Sequence, residues 1–202
     1  MTRAEQRHMI RSEKQLAVLT SAARQEIVDV LEEMGTVSVA EIAATLGRPA
    51  DALYFHLRSL KRAGLVQEVG ERSRGGRKEA LFRTVAPELM LRYEPKDKRN
   101  RRAVTAIVSS MLRLGIRDFR RAFEGEVIVS GAQRELWALR KTGRLSLAQI
   151  AKVNRSIERL KDSVANPHGK GRLYGITVLL TPLDHRGREN KRRARSQGKR
   201  EK

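Results

Sequence analysis

The sequence predicts a mainly α-helical fold with a small amount of β-structure. Aliphatic residues recur at helical spacing in several segments, whereas aromatic residues make up only 4% of the chain. A few short segments alternate between apolar and polar residues, as strands do. With 202 residues, of which 40% are hydrophobic, the chain is long enough for one large domain or two small ones. Four consecutive parts are expected: an N-terminal arm with a short helix (1–18), a first domain (19–95), a second domain (96–183) and a disordered basic tail (184–202).

Two helices are predicted near the start of the first domain. The first covers about residues 21–34, where apolar positions follow the helical period and Gly35 ends the pattern. The second begins at Ser38, with Glu41 at the spacing of a capping box, and ends at Gly47.

A third helix is predicted from Pro49 to about residue 63, and a β-hairpin follows it. Strands are expected at 65–71 and 80–85, with a turn at 73–79 that is rich in glycine and arginine. Three short helices followed by a hairpin within about seventy residues are typical of a winged helix-turn-helix domain.

The third helix has two chemically distinct sides. Leu53, Leu57 and Leu60 recur on one side and are expected to pack on the preceding helices. The residues of the opposite side are Asp51, Tyr54, Phe55, Arg58 and Arg62. A DNA major groove suits this set, since aromatic rings can contact thymine methyls and arginines can bind guanine edges or phosphates. The alternative is that either aromatic packs against the hairpin or the first helix, and that Arg58 is an ordinary solvated cation.

The hairpin tip is the second candidate contact surface. Its cations are Arg72, Arg74, Arg77 and Lys78, and two glycines permit a tight turn. These cations are expected to bind phosphates or to enter a narrow minor groove. The alternative is a mobile surface loop that is basic without contacting DNA.

These motifs resemble one known family. The segments LTSAARQEIVDVLEE, VSVAEIAATLGRPADALYFHLRSLKRAGLV and GGRKEALFRTV resemble the ArsR-like (arsenical-resistance-repressor-like) winged-helix regulators, and HLRSLKRAGLV is the most specific of them. The resemblance covers about one third of the chain and implies a dimeric DNA-binding repressor or regulator. The metal-sensing branch uses cysteines or sets of histidine and carboxylate, which this chain lacks, so metal sensing by those routes is not expected.

The second domain is expected to begin with a long helix at about residues 98–123. Its wide apolar side predicts a dimerisation element, and the alternative is an intramolecular core. A small α+β unit is expected next, with a helix from Ser146 to about residue 164 and strand patterns at 126–130 and 172–181. This unit is predicted either to hold a small-molecule effector or to serve dimerisation alone. Trp137 is the candidate pocket residue, with plain packing as the alternative.

Charge points to a polyanionic partner. The chain carries 43 Lys and Arg against 23 Asp and Glu, for a net charge of +20. Double-stranded DNA read as a homodimer is the expected partner. The alternatives are an RNA-associated protein and a non-specific architectural nucleic-acid-binding protein.

Several other classes of protein are not expected. No cysteine is present, and the four histidines form no metal-ligand spacing, so neither a metal nor another cofactor is predicted. His56 is expected to be a packing residue. No phosphate loop or nucleophile motif indicates an enzyme. The absence of an apolar span and of a leader-like segment predicts a cytoplasmic protein without a membrane partner.

Overall fold

The computed structural model describes residues 7–165 and 171–183, and the structural statements below refer to these residues. The helices are α1 (Glu13–Val18), α2 (Ala22–Met34), α3 (Val39–Leu46), α4 (Ala50–Arg62), α5 (Lys98–Ala122) and α6 (Leu147–Val164). The strands are β1 (Arg7–Ile10), β2 (Val37–Ser38), β3 (Val66–Arg74), β4 (Arg77–Thr84) and β5 (Glu88–Leu91). The expected mixture of helices with a small sheet is confirmed, and the expected basic tail at 184–202 lies outside the described residues.

A three-stranded sheet with the order β2-β4-β3 contains the predicted hairpin. Strands β3 and β4 are antiparallel and remain paired to their ends, where Arg74 lies opposite Arg77. Only Gly75 and Gly76 form the turn, with φ angles of 58° and 76° that suit a type I′ turn. The predicted seven-residue turn was therefore too long, because the strand pairing continues through the basic residues on both sides.

The N-terminal arm contains a strand before its helix. Strand β1 pairs in parallel with β5, from Arg7 opposite Glu88 to Ile10 opposite Leu91. The prediction of a polar helical arm over residues 1–18 was thus incomplete, because Ile10 is 1% exposed and belongs to the core. Helix α1 follows where it was expected, with Ser12 as its N-cap.

One hydrophobic core joins the first helices to the hairpin. Its fully buried members on the helices are Leu16, Ile27, Leu31, Ile42, Leu53, Leu57 and Leu60. Val104 and Ile107 of α5 belong to the same core, so the first half of this helix packs within the chain, as the alternative interpretation expected. Leu112 and Ile116 in the second half of α5, and Phe123 directly after the helix, are 38%, 62% and 63% exposed.

The region after α5 differs from the predicted α+β unit. Helix α6 is confirmed, with a capping box of Ser146 and Gln149. The strands expected at 126–130 and 172–181 are absent from the described residues, and no residue in the described part of 125–183 is buried. Trp137, the candidate pocket residue, is 68% exposed and lies on the surface, with Arg134 over its ring. Alternating patterns predict strands only where a partner strand can pair with them, and the described residues do not supply one.

No helix among the described residues is long and apolar enough to cross a membrane.

Candidate nucleic-acid interface

Helix α4 is fixed by its neighbours on both sides. The preceding helix α3 begins with the predicted capping box, in which the Ser38 N–H donates to Glu41 at 2.8 Å. Gly47 ends α3 in the left-handed conformation, with φ of 60°, which favours glycine at this turn. Pro49 is the N-cap of α4, so the helix begins at Ala50, one residue later than expected. Leu53, Leu57 and Leu60 then bury the inner side of α4, as the leucine spacing predicted.

The outer side of α4 is open to solvent. The side chains predicted for DNA contact are all exposed: Asp51, Tyr54, Phe55, Arg58 and Arg62. Tyr54 is 49% and Phe55 is 59% exposed, so about half of each side chain faces solvent. Among hydrogen bonds, ion pairs and ring contacts of these side chains within the described ranges, the structure shows only that of the Phe55 ring with His56, at 5.6 Å between centroids. The face therefore has free side chains of the types that read a major groove.

His56 lies at the edge of this face and is less satisfied than the sequence suggested. It is half-buried, and its buried Nδ1 has no hydrogen-bond partner. Burial lowers the pKa of His56, and the nearby cations Arg24 and Arg48 lower it further. The neutral imidazole is thus favoured. No cluster of potential metal ligands occurs in the described part of the chain, and His168 and His185 lie outside it.

The cations of the hairpin fall into two groups. Arg72 is half-buried and pairs with Glu41 of α3 at 2.9 Å and with Glu79 at 3.4 Å. These carboxylates raise the pKa of Arg72, and the contact to Glu41 ties the hairpin to α3. Arg72 is therefore not an unpaired cation like its neighbours at the tip, and its contact with DNA stays a prediction. The ion pair with Glu41 could not be predicted from the sequence, because Glu41 had already been assigned to the capping box of α3.

The cations at the hairpin tip have fewer ion pairs than Arg72 among the described residues. Lys78 is 3.6 Å from Glu71, with an 82% exposed side chain, so this pair is weak and screened. Arg74 and Arg77 lie directly opposite each other beside the Gly75–Gly76 turn, and neither has an ion pair among the residues that the structure describes. Two like charges at opposed strand positions repel each other, so an anion between them is favoured.

A buried carboxylate connects the turn before α4 to α5. Glu26 of α2 is 8% exposed, and its two oxygens bind Arg48 and Arg117, each at 2.5 Å. The Nε2 atom of Gln25 also donates to the Ile107 carbonyl of α5 at 3.2 Å. Sequence reasoning did not single out these residues. The sequence feature that could have indicated them is a charged residue and an amide directly beside the apolar positions of α2.

Comparison with known proteins agrees with this geometry. A family model described as a helix-turn-helix domain matches residues 19–69, about a quarter of the chain, which spans α2, α3, α4 and the start of β3. The chain contains a helix-turn-helix domain. Such a domain indicates DNA binding and a role in transcription regulation. A search of curated proteins found no match.

Proposed function

We propose that this chain is an ArsR-like, sequence-specific transcriptional regulator that binds operator DNA as a homodimer, most simply as a repressor. The observation that carries the proposal is the outer face of α4. Three buried leucines hold this helix, while its aromatic and cationic side chains are exposed and unpaired within the described residues.

The outer face of α4 and the β3–β4 hairpin have different roles in binding DNA. Helix α4 enters the major groove, where Arg58 and Arg62 contact base edges or flanking phosphates and the aromatic rings contact thymine methyls. The hairpin acts as the wing, with Arg74 and Arg77 around a phosphate or in the adjacent minor groove. The net charge of +20 strengthens both contacts and favours fast association with DNA.

The proposal assigns a binding role rather than a catalytic one. An RNA-associated role and a non-specific architectural role remain the alternatives. Two adjacent exposed aromatics on a helix favour base readout over purely electrostatic binding, because phosphates offer them no apolar contact.

Selection of bound duplexes from a random DNA pool at physiological salt tests this function, with an RNA pool in parallel. We expect a two-fold-symmetric consensus whose half-sites lie about 34 Å apart, one turn of the duplex. The Arg58→Ala variant should enrich a weaker consensus. Recovery of unenriched DNA would favour the architectural role, and preferential recovery of RNA would favour the RNA-associated role.

A further inference from the structure

The chain leaves an unusually large apolar surface uncovered after α5. Fourteen aliphatic or aromatic side chains in the described part of residues 125–183 are at least 39% exposed. We call them the C-terminal apolar surface: Ile128, Val129, Trp137, Leu139, Leu145, Leu147, Leu160, Val164, Leu173, Tyr174, Ile176, Val178, Leu179 and Leu180. At roughly 100 Å² of apolar area per side chain, about half of it exposed, they present roughly 700 Å². This area is a sum over side chains spread along residues 128–180, and it compares with about 300–600 Å² for the largest contiguous patch on a typical monomer.

Polar contacts hold this surface in place. The Glu135 carboxylate accepts hydrogen bonds from Arg172, from the Tyr174 hydroxyl and from the Ile128 N–H. Tyr174 and the Ile128 N–H thereby lower the pKa of Glu135. On the other side, Lys161 of α6 binds Glu88 of β5 at 2.7 Å. These polar groups are therefore paired within the chain, while the apolar side chains of the surface are exposed to solvent.

The segments outside the described residues carry little apolar area that could cover this surface. Residues 1–6 are MTRAEQ, residues 166–170 are NPHGK, and residues 184–202 contain a single apolar residue, Ala194. Within this surface, residues 173–183 (LYGITVLLTPL) contain no charge, so a polyanion finds no cation to bind along this segment. The cover must be another apolar surface of similar extent. About 800 Å² per partner is the usual size for a stable protein–protein interface, which matches the exposed area.

Residues 173–180 have the properties of a strand without a partner. Tyr174, Ile176, Val178 and Leu180 alternate along them, yet the backbone of 173–183 forms no hydrogen bond with any described residue. An unpaired strand edge of this kind binds another strand readily. The same strand of a second copy is antiparallel and self-complementary when the two are related by a two-fold axis.

Residues 173–180 pass close to the second half of α5 at one point. Thr177 passes close to α5, since a Cβ atom on Gly115 would lie 3.4 Å from its Oγ1. The neighbouring Ile116 of α5 is 62% exposed, and Phe123, whose ring contacts Phe119, is 63% exposed. Residues 173–180 thus approach α5 near its exposed apolar side chains, which we call the exposed stripe of α5: Leu112 and Ile116, with Phe123 directly after the helix.

We propose that residues 173–180 pair antiparallel with the same residues of a second copy, and that the exposed stripe of α5 and the apolar side of α6 pack around this junction. The inference rests on the proposed function for its two-fold symmetry. It differs from a dimer made by α5 alone, because the C-terminal strand is its centre.

Molar mass in solution tests the inference first. The full-length chain should have twice the mass of 22.9 kDa, and the double variant Ile176→Asp/Val178→Asp should dissociate at least tenfold more readily. The matched control is Val69→Asp/Tyr93→Asp, which adds the same charge at exposed apolar residues outside the surface and should remain dimeric. Both double variants should keep the helical circular-dichroism signal and thermal midpoint of a folded domain, because none of the four residues belongs to the core.

Cysteine cross-linking locates the contact. The chain has no cysteine, so a single introduced cysteine can form a disulfide only with its copy in another chain. Single cysteines along 173–180 should cross-link most efficiently near the two-fold axis, and Tyr93→Cys should not cross-link. A monomeric wild-type chain overturns the inference, as does a dimer that survives the aspartate pair and shows no cross-link. A cross-linked dimer that selects no duplex would reject the proposed function and leave this inference standing. A monomer that selects a duplex would reject this inference and the homodimeric part of the proposed function, but not sequence-specific DNA binding.

Discussion

The wing tip gives a prediction that needs no knowledge of the operator. Arg74 and Arg77 face each other at the Gly75–Gly76 turn without an ion pair among the described residues, so both are available to neutralise phosphate. Each neutralised phosphate contributes about 0.9 to the slope of log affinity against log salt. The double variant Arg74→Ala/Arg77→Ala should therefore reduce the slope by about 1.8. Over a fourfold change in salt, from about 50 to 200 mM, the variant should lose about 12-fold less affinity than the wild type.

Fluorescence anisotropy with a labelled random-sequence duplex measures this slope. Arg92→Ala/Arg99→Ala is the charge-matched control, since both arginines lie outside the hairpin and pair with Glu94 and Glu13. A change confined to the tip variant supports phosphate contact by the wing. The reasoning is refuted if the slope is unchanged, or if the control lowers it equally, because the effect would then reflect net charge alone.

Three further predictions concern stability and are measured by denaturant unfolding. Leu57→Ala should lower the free energy of unfolding by about 2–5 kcal/mol, because Leu57 is 2% exposed. Phe55→Ala, on the same helix but at a residue that is 59% exposed, should change it by less than about 0.5 kcal/mol. Equal losses would contradict the orientation of α4. Glu26→Gln should cost about 1–3 kcal/mol by weakening two charge-assisted bonds at a buried site, whereas Glu94→Gln, in the exposed pair with Arg92, should cost less than about 1 kcal/mol. Burial and the neighbouring carboxylates Asp29 and Glu88 raise the pKa of Glu32 to about 7, although a hydrogen bond from the Leu89 N–H opposes the shift. The ionisation of Glu32 therefore destabilises the fold as pH rises through that value. Glu32→Gln should accordingly stabilise the protein by roughly 1–3 kcal/mol near pH 8 and much less near pH 4, and an equal effect at both values would contradict the assigned cause.

The local elements could be predicted because their determinants are short-range. Ser38 with Glu41 and Ser146 with Gln149 are capping boxes that the structure contains, and the leucine spacing correctly oriented α4. Caps, helical periods and glycine turns depend on residues only a few positions apart.

The features that were missed depend on contacts between distant segments. Strand β1 pairs with β5 about eighty residues away, and no local pattern encodes a parallel register of this kind. The pairing of Arg72 with Glu41 likewise requires the hairpin to be placed against α3. The strand patterns after α5 were recognised, but a strand also needs a partner, which the described part of this chain does not provide.

The most direct test of base readout by α4 compares Arg58→Ala on two duplexes, the one recovered by selection and a random one of equal length. A lost arginine contact to a base edge should cost about 1–3 kcal/mol on the selected duplex, roughly 5- to 150-fold in affinity, and far less on the random one. Equal losses on both would mean that Arg58 binds only the backbone, and the account of α4 as the reading helix would be contradicted.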